Sequence, residues 1–114
     1  MDNIKDDDYF IERIKTDLKF VIDNTNDISY EEMLENPFLI DSIMFRIIQI
    51  SESISKLSNG FTSNNSFIPW SSIKGMRNKI VHDYGMINTH IVYKTVKESM
   101  PEMYKQLQKI NKTA

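Results

Sequence analysis

The chain has 114 residues, no cysteine, 14 basic and 16 acidic side chains, and a net charge of −2. This length suits one domain spanning residues 1–114, and the missing cysteines exclude disulfides and thiolate metal sites. The acidic balance argues against broad, non-specific nucleic-acid binding, which depends on many basic contacts to phosphates. Residues 1–8 lack the apolar core of a signal peptide, and no apolar run is long enough to span a membrane. We therefore expect a cytoplasmic protein with no membrane contact.

Two helices are predicted before the first proline. Apolar residues recur at helical spacing over about residues 9–26, and Asp8 is placed to cap this helix. Ser29 followed by Glu32 is a capping-box pattern, which predicts the start of a short second helix. Pro37 should end that helix, because the residue before a proline disfavours helical geometry.

A long helix is predicted over about residues 37–58, because a proline is tolerated in a first turn. Its apolar residues form two neighbouring stripes. The first comprises Leu39, Ile43, Ile47, Ile50, Ile54 and Leu57, and the second comprises Ile40, Met44 and Ile48. Two apolar faces predict burial on two sides. One face would meet the other helices and one a partner subunit, unless this is the central helix of a monomer.

The second half of the chain continues the helical pattern. Residues 58–66 are polar and predict a loop, after which Trp70 is expected to anchor a further helix to the core. Asn88 is a good N-cap for a last helix, and Pro101 should kink that helix or begin a new segment. No strand-like alternation occurs in the sequence, so we predict an all-α antiparallel bundle of about five helices.

The run from Gly75 to Tyr84 concentrates groups suited to phosphate chemistry. An arginine can hold a phosphate with two donors, a histidine can move a proton near neutral pH, and a tyrosine adds a hydroxyl and a stacking face. The candidate residues are Arg77, Asn78, Lys79, His82, Asp83 and Tyr84. These groups suffice to bind and cut a phosphodiester without a metal. The alternative interpretation is a surface helix that ends in a solvated charge cluster.

The spacing of Arg77 and His82 poses a geometric question. Five residues correspond to about 140° around an ideal helix, so the two side chains would not face the same way. Either the helix ends between them, or their functional partners lie across a dimer axis. Two contacts are possible for the Glu52 carboxylate: it could face this motif, or it could pair with Lys56 four residues further on. The pairing with Lys56 is the preferred interpretation on physical grounds.

An arginine, a polar neighbour and a histidine a few residues later form the signature of the HEPN superfamily. The R-x4-H-x-Y form of Arg77, His82 and Tyr84 resembles its HepT-like branch. The lead-in from Ile68 to Asn78 and the Met-Pro pair in the last helix are also similar to that branch. Upstream, Ser51-Glu52-Ser53 stands where the branch often has Gly-Glu-Ala, which is a partial match.

This resemblance implies a homodimeric, metal-independent endoribonuclease whose two motifs share one cleft. Arg77 and His82 would be catalytic, with Asn78, Lys79, Asp83 and Tyr84 binding RNA or supporting them, and no cofactor or metal is expected. Resemblance also implies a toxin encoded beside a minimal nucleotidyltransferase antitoxin of the MntA type, which transfers AMP to the motif tyrosine, here Tyr84.

The chemistry of RNA is compatible with this assignment, because RNA carries its own nucleophile, the 2′-hydroxyl. His82 is suited to general acid–base catalysis, and Arg77 can stabilise the phosphorane charge. Asp83 would orient His82 or only balance nearby charge.

Three other interpretations remain. The first is a non-catalytic HEPN module that docks a nucleotidyltransferase or binds a nucleotide, with Arg77 as a phosphate clamp. The second is a plain helical dimerisation domain. The third is a metal site formed by His82, Asp83 and His90, although their spacing matches no recognised ligand pattern.

Overall fold

The computed structural model describes residues 6–110, which form helices and connecting turns without strands. Helix α1 spans Asp7–Thr25, close to its predicted bounds. Its N-cap is Asp6, whose carboxylate accepts a hydrogen bond from the Tyr9 backbone N–H at 3.1 Å. The prediction that Asp8 caps this helix is therefore wrong, because the helix begins before that residue.

Two helices follow after a short turn. Helix α2 spans Tyr30–Leu34 and begins with the predicted capping box, in which the Ser29 hydroxyl and the Glu32 carboxylate each accept a backbone N–H. Helix α3 spans Pro37–Ser55, with its proline in the first turn as predicted. It ends three residues earlier than expected, at Ser55.

The predicted loop over residues 58–66 contains a short helix, α4, over Asn59–Asn64, so that prediction is wrong for most of the segment. Ser58 caps this helix by accepting a hydrogen bond from the Phe61 N–H. The ring of Phe61 lies 6.2 Å from that of Trp70, whose indole N–H donates to the Asn65 carbonyl. These contacts hold the polar segment in helical form and anchor Trp70 as predicted.

Helix α5 spans Trp70–Asp83 and carries the candidate residues. A single 3₁₀ turn over Tyr84–Met86 leads to helix α6, Thr89–Lys94, which Asn88 caps as predicted. The last predicted helix is divided by Pro101: a π-helical turn over Thr95–Ser99 precedes helix α7, Met100–Gln108. A proline has no N–H for the preceding turn, so a change of helical pitch at this point accommodates it.

The helices pack around one hydrophobic cluster, with α1 against α3 and α7, and α3 against α5. The all-α bundle is thereby confirmed, although α4 and the division at Pro101 add segments to the five expected. The first apolar stripe of α3 is largely buried in this cluster. Another face of α3 is uncovered: Phe38 is 89% exposed and Phe45 is 56% exposed. Within residues 6–110, no helix is both long and apolar enough to cross a membrane.

Candidate active site

Helix α5 has one apolar edge, and this edge determines where the polar residues point. Ile73, Met76 and Ile80 recur every three or four residues and are buried against the core. The other positions face outward. Arg77 is partly buried, whereas Asn78, Lys79, His82 and Asp83 are exposed. The helix therefore presents the candidate side chains on a surface that a large substrate can reach.

Two neighbours hold the Arg77 guanidinium. Its Nη2 lies 3.4 Å from Oε2 of Glu52 on α3, and its Nη1 donates to Oδ1 of Asn78 at 3.3 Å. Because the guanidinium is planar with fixed donors, these contacts define its orientation. The preferred pairing of Glu52 with Lys56 was wrong: Glu52 faces the motif, and no ion pair of Lys56 occurs in the described part of the chain.

His82 lies on the same uninterrupted helix as Arg77. Helix α5 ends at Asp83, so its end does not fall between Arg77 and His82. The two side chains therefore leave the helix about 140° apart, as ideal geometry requires. The alternative that the helix ends between Arg77 and His82 is therefore wrong.

Lys79 and Asp83 lie on the side of α5 that faces α6. Together with Met76 and Ile91 they line a cavity of about 390 Å³ beside α6. Successive residues on a helix differ by about 100° in direction, so Asp83 and His82 point to different regions of the surface. This placement favours charge balance over orientation of His82 as the contribution of Asp83 within one chain.

Tyr84 follows α5 directly and is 48% exposed. Its hydroxyl donates a hydrogen bond to Oδ1 of Asp41 on α3. This hydrogen bond raises the pKa of the Tyr84 phenol above its ordinary value, and burial and the negative charge of Asp41 act in the same direction. Tyr84 is therefore a neutral phenol near pH 7, held beside a carboxylate and open to solvent on one side.

The partner of Tyr84, Asp41, was not identified from the sequence. Asp41 and Glu52 are the acidic residues of α3, an otherwise largely apolar helix, and each binds one member of the motif. Two isolated carboxylates on a largely apolar helix were the sequence signal that could have indicated these two partners. Their positions opposite Tyr84 and Arg77 depend on the packing of α3 against α5.

The metal interpretation receives no support from this arrangement. The His90 ring stacks on Tyr30 at a centroid distance of 4.2 Å, on a surface formed by α2 and α6. Among residues 6–110, no three His, Asp or Glu side chains come close enough together to hold a metal ion. His82, Asp83 and His90 therefore do not form the ligand set considered from the sequence.

Comparison with known proteins places this architecture in a family. Residues 14–110 match the family described as "Ribonuclease HepT-like". A protein of Caldanaerobacter subterraneus subsp. tengcongensis, named "Putative RNase", is 31% identical over 101 residues, which cover 89% of this chain and 90% of that protein. A "Probable ribonuclease HepT" of Thermococcus cleftensis is 25% identical over 103 residues, covering 90% of this chain and 94% of that protein. No solved structure matches the chain.

The helical bundle, with Arg77 and His82 on one helix and Tyr84 directly after it, is typical of the HEPN class. Within that class, the chain belongs to the HepT-like ribonuclease family, because the match covers most of its length.

Proposed function

We propose that this protein is a metal-independent endoribonuclease that cuts RNA by transesterification, with Arg77 and His82 as its catalytic residues. Membership of a ribonuclease family supports cleavage of RNA. The observation that carries the mechanism is the Arg77 guanidinium, fixed by Glu52 and Asn78 on the same exposed helix as His82. A fixed cation and a mobile proton carrier are the groups that this reaction needs.

In the proposed reaction, the neutral imidazole of His82 takes the proton from the 2′-hydroxyl of the substrate. The 2′-oxygen then forms a bond to the adjacent phosphorus and the bond from phosphorus to the 5′-oxygen breaks. That leaving oxygen receives a proton from water, and the His82 imidazolium returns its proton to the solvent. Arg77 stabilises the extra negative charge on the phosphorus oxygens in the transition state. The products are a 2′,3′-cyclic phosphate, which water can later open, and a free 5′-hydroxyl.

A two-fold dimer would complete the site. Arg77 and His82 diverge on one helix, and a second copy would bring an arginine and a histidine to one phosphate. The uncovered face of α3 offers a surface for that contact, since Phe38 and Phe45 are largely exposed there. Asp41 lies between them on this face and binds Tyr84, so the apolar surface adjoins the motif.

Regulation by a nucleotidyltransferase partner completes the proposal. A minimal nucleotidyltransferase antitoxin would transfer AMP from ATP to the Tyr84 oxygen, with release of pyrophosphate and of the phenol proton. This chain would then be the toxin of the pair. The half-exposed ring of Tyr84 is compatible with such access. The added AMP would bring a negative phosphate and a bulky nucleoside to the end of the motif, where they would repel RNA and block its path, which would switch off cleavage.

The test is cleavage of total cellular RNA in the presence of EDTA by the wild type, Arg77→Ala and His82→Ala. We expect each substitution to lower the cleavage rate by about 10²–10⁴-fold, the usual contribution of such groups. His90→Ala is the matched control, because it removes the other histidine, and it should retain the wild-type rate. RNA with a 2′-deoxy sugar at the cleaved position should resist, and cleavage there at an unchanged rate would exclude transesterification.

If the wild-type protein cleaves no RNA, mass spectrometry should first show whether Tyr84 carries AMP. An unmodified, folded, dimeric protein that cuts no RNA would reject the ribonuclease proposal and indicate the non-catalytic binding module.

A further inference from the structure

A groove outside the motif runs between the start of α1 and the end of α3. Its volume is about 560 Å³. Tyr9 and Arg13, four residues apart on α1, form one wall. The other wall is formed by Gln49 and Glu52 on α3 and by Lys56, the residue that directly follows this helix. Because spacings of three or four residues place side chains on one helix face, the groove is a continuous feature of the two packed helices.

The charges in this groove are unusual for an acidic chain. Arg13 and Lys56 come from distant parts of the sequence and line the same groove, yet no ion pair of either occurs within residues 6–110. By contrast, Lys19 is paired with Asp23, and Arg46 with Asp17. Two cations that line one groove without an ion pair of their own favour a phosphate as a ligand.

The groove is connected to the candidate active site through one side chain. Glu52 lines the groove, and its carboxylate is 3.4 Å from the Arg77 guanidinium. Arg77 offsets the negative charge of Glu52, which lowers the repulsion that a bound phosphate would meet. A second depression of about 310 Å³ shares Tyr9 and Arg13 and extends further along α1.

Tyr9 adds a stacking surface. The residue is 37% exposed, and its ring packs edge to face on Phe10 at a centroid distance of 5.0 Å. Single-stranded RNA is bound by combining basic groups along its backbone with aromatic rings on which bases stack. The groove contains both elements within one surface.

We propose that this groove binds single-stranded RNA next to the cleaved phosphate, with a backbone phosphate against Arg13 and Lys56 and a base stacked on Tyr9. The groove thus extends the substrate site from one phosphodiester to a longer single strand. This assignment rests on the proposed function, because it takes the RNA cut at Arg77 and His82 as the strand that continues into the groove.

Binding of a fluorescent single-stranded oligonucleotide of about twelve nucleotides tests the assignment, measured by anisotropy at several salt concentrations with His82→Ala protein to prevent cleavage. Adding Arg13→Gln and Lys56→Gln to the His82→Ala protein should weaken RNA binding about tenfold. The slope of log affinity against log salt concentration should become less steep by roughly 0.7 per lost phosphate contact. The charge-matched control, Lys94→Gln with Lys105→Gln, changes two exposed lysines that line no part of the groove, and should bind like the parent.

Stacking is tested separately on the same protein. Tyr9→Leu should weaken binding about tenfold, while Tyr9→Phe, which keeps the ring, should not. Circular dichroism and urea midpoints confirm that each variant is folded.

Equal binding by the groove and control variants would overturn the proposal, as would a parent protein that binds no RNA. Weakened self-association with unchanged RNA binding would assign the groove to a second copy of the chain, and would also overturn it. Failure of the proposed function looks different: the wild type would cut no RNA while binding still depended on Arg13 and Lys56.

Discussion

The Arg77 guanidinium on α5 lies 3.4 Å from the Glu52 carboxylate on α3, across 25 residues of sequence. Glu52 is 52% exposed and Arg77 33% exposed, so solvent screens the pair and it contributes little to stability. Its effect is on orientation: a guanidinium held on one side presents its remaining donors in a fixed direction. Glu52 is thus a positioning residue for the proposed catalytic arginine.

We expect Glu52→Ala to lower the cleavage rate about tenfold, because a freely rotating Arg77 must be reordered in each transition state. Glu52→Gln keeps an oxygen acceptor at the same position and should retain most of the activity. Steady-state cleavage of a defined RNA measures both, with the urea midpoint as a check on folding. An alanine variant as active as the wild type would reject the positioning role.

The Tyr84–Asp41 hydrogen bond predicts a specific dependence of stability on pH. The folded-state pKa of Tyr84 is raised, so the stability it contributes is present below the ordinary tyrosine value of 10.0. That stability is lost as pH rises through the folded pKa, since the unfolded chain releases the proton first. Removing the hydroxyl with Tyr84→Phe should therefore destabilise the protein at pH 7 and matter progressively less above about pH 10.

Urea unfolding of the wild type, Tyr84→Phe, Asp41→Asn and the double variant, repeated from neutral to alkaline pH, measures this coupling. The interaction energy between the two sites should decline with rising pH. A coupling that is constant over the range, or that grows, would contradict the assignment of the hydrogen bond.

The exposed face of α3 predicts the effect of a charge at Phe45. If this face forms the dimer contact, Phe45→Glu should raise the dimer dissociation constant at least about tenfold, because a buried carboxylate without a partner is costly. Cleavage should fall with the dimer population. Phe67→Glu is the control, because Phe67 is similarly exposed, at 58%, and lies outside α3. Analytical ultracentrifugation that shows equal association for both variants would place the dimer contact elsewhere.

The buried pair between α1 and α3 predicts an asymmetric loss of stability. Arg46 Nη1 lies 2.7 Å from Asp17 Oδ1, and the Asp17 side chain is only 6% exposed, against 27% for Arg46. Arg46→Met leaves a buried carboxylate unpaired and should cost about 3 kcal/mol. Asp17→Asn leaves a cation that water can reach and should cost about 1 kcal/mol. Urea midpoints at pH 7 measure both, and the reverse order would contradict this explanation.

Local signals in the sequence predicted most helix starts. The Ser29–Glu32 capping box and the Asn88 cap act over three or four residues, and both are present as predicted. Helix α4 was missed because its support is distant: Asp7 accepts hydrogen bonds from the Ser58 backbone N–H and hydroxyl across 51 residues. Because Asp7 lies in the first turn of α1, the same run of aspartates both caps α1 and anchors α4, which composition does not indicate.

The residues of the candidate site also separate into those that local sequence signals identify and those that depend on contacts between distant segments. Arg77, His82 and Tyr84 were identified because they lie within eight residues of one another, whereas the carboxylate partners of Arg77 and Tyr84 lie on α3. The Ser51-Glu52-Ser53 segment, a partial match to the family pattern, has both serines buried. Small side chains at these positions suit the close packing of α3 with its neighbours, which Gly and Ala would also allow.

Helix α3 fixes the separation of the two ends of the motif. Asp41 and Glu52 are eleven residues apart on one rigid helix, which sets their carboxylates about 16 Å apart along its axis. Asp41 bonds to Tyr84 and Glu52 bonds to Arg77, so the spacing of the two carboxylates on α3 fixes where both motif residues are held. A single residue inserted between them would turn one carboxylate by about 100° and break its contact. In proteins that keep both contacts, the length of this segment should therefore be invariant even where its side chains differ.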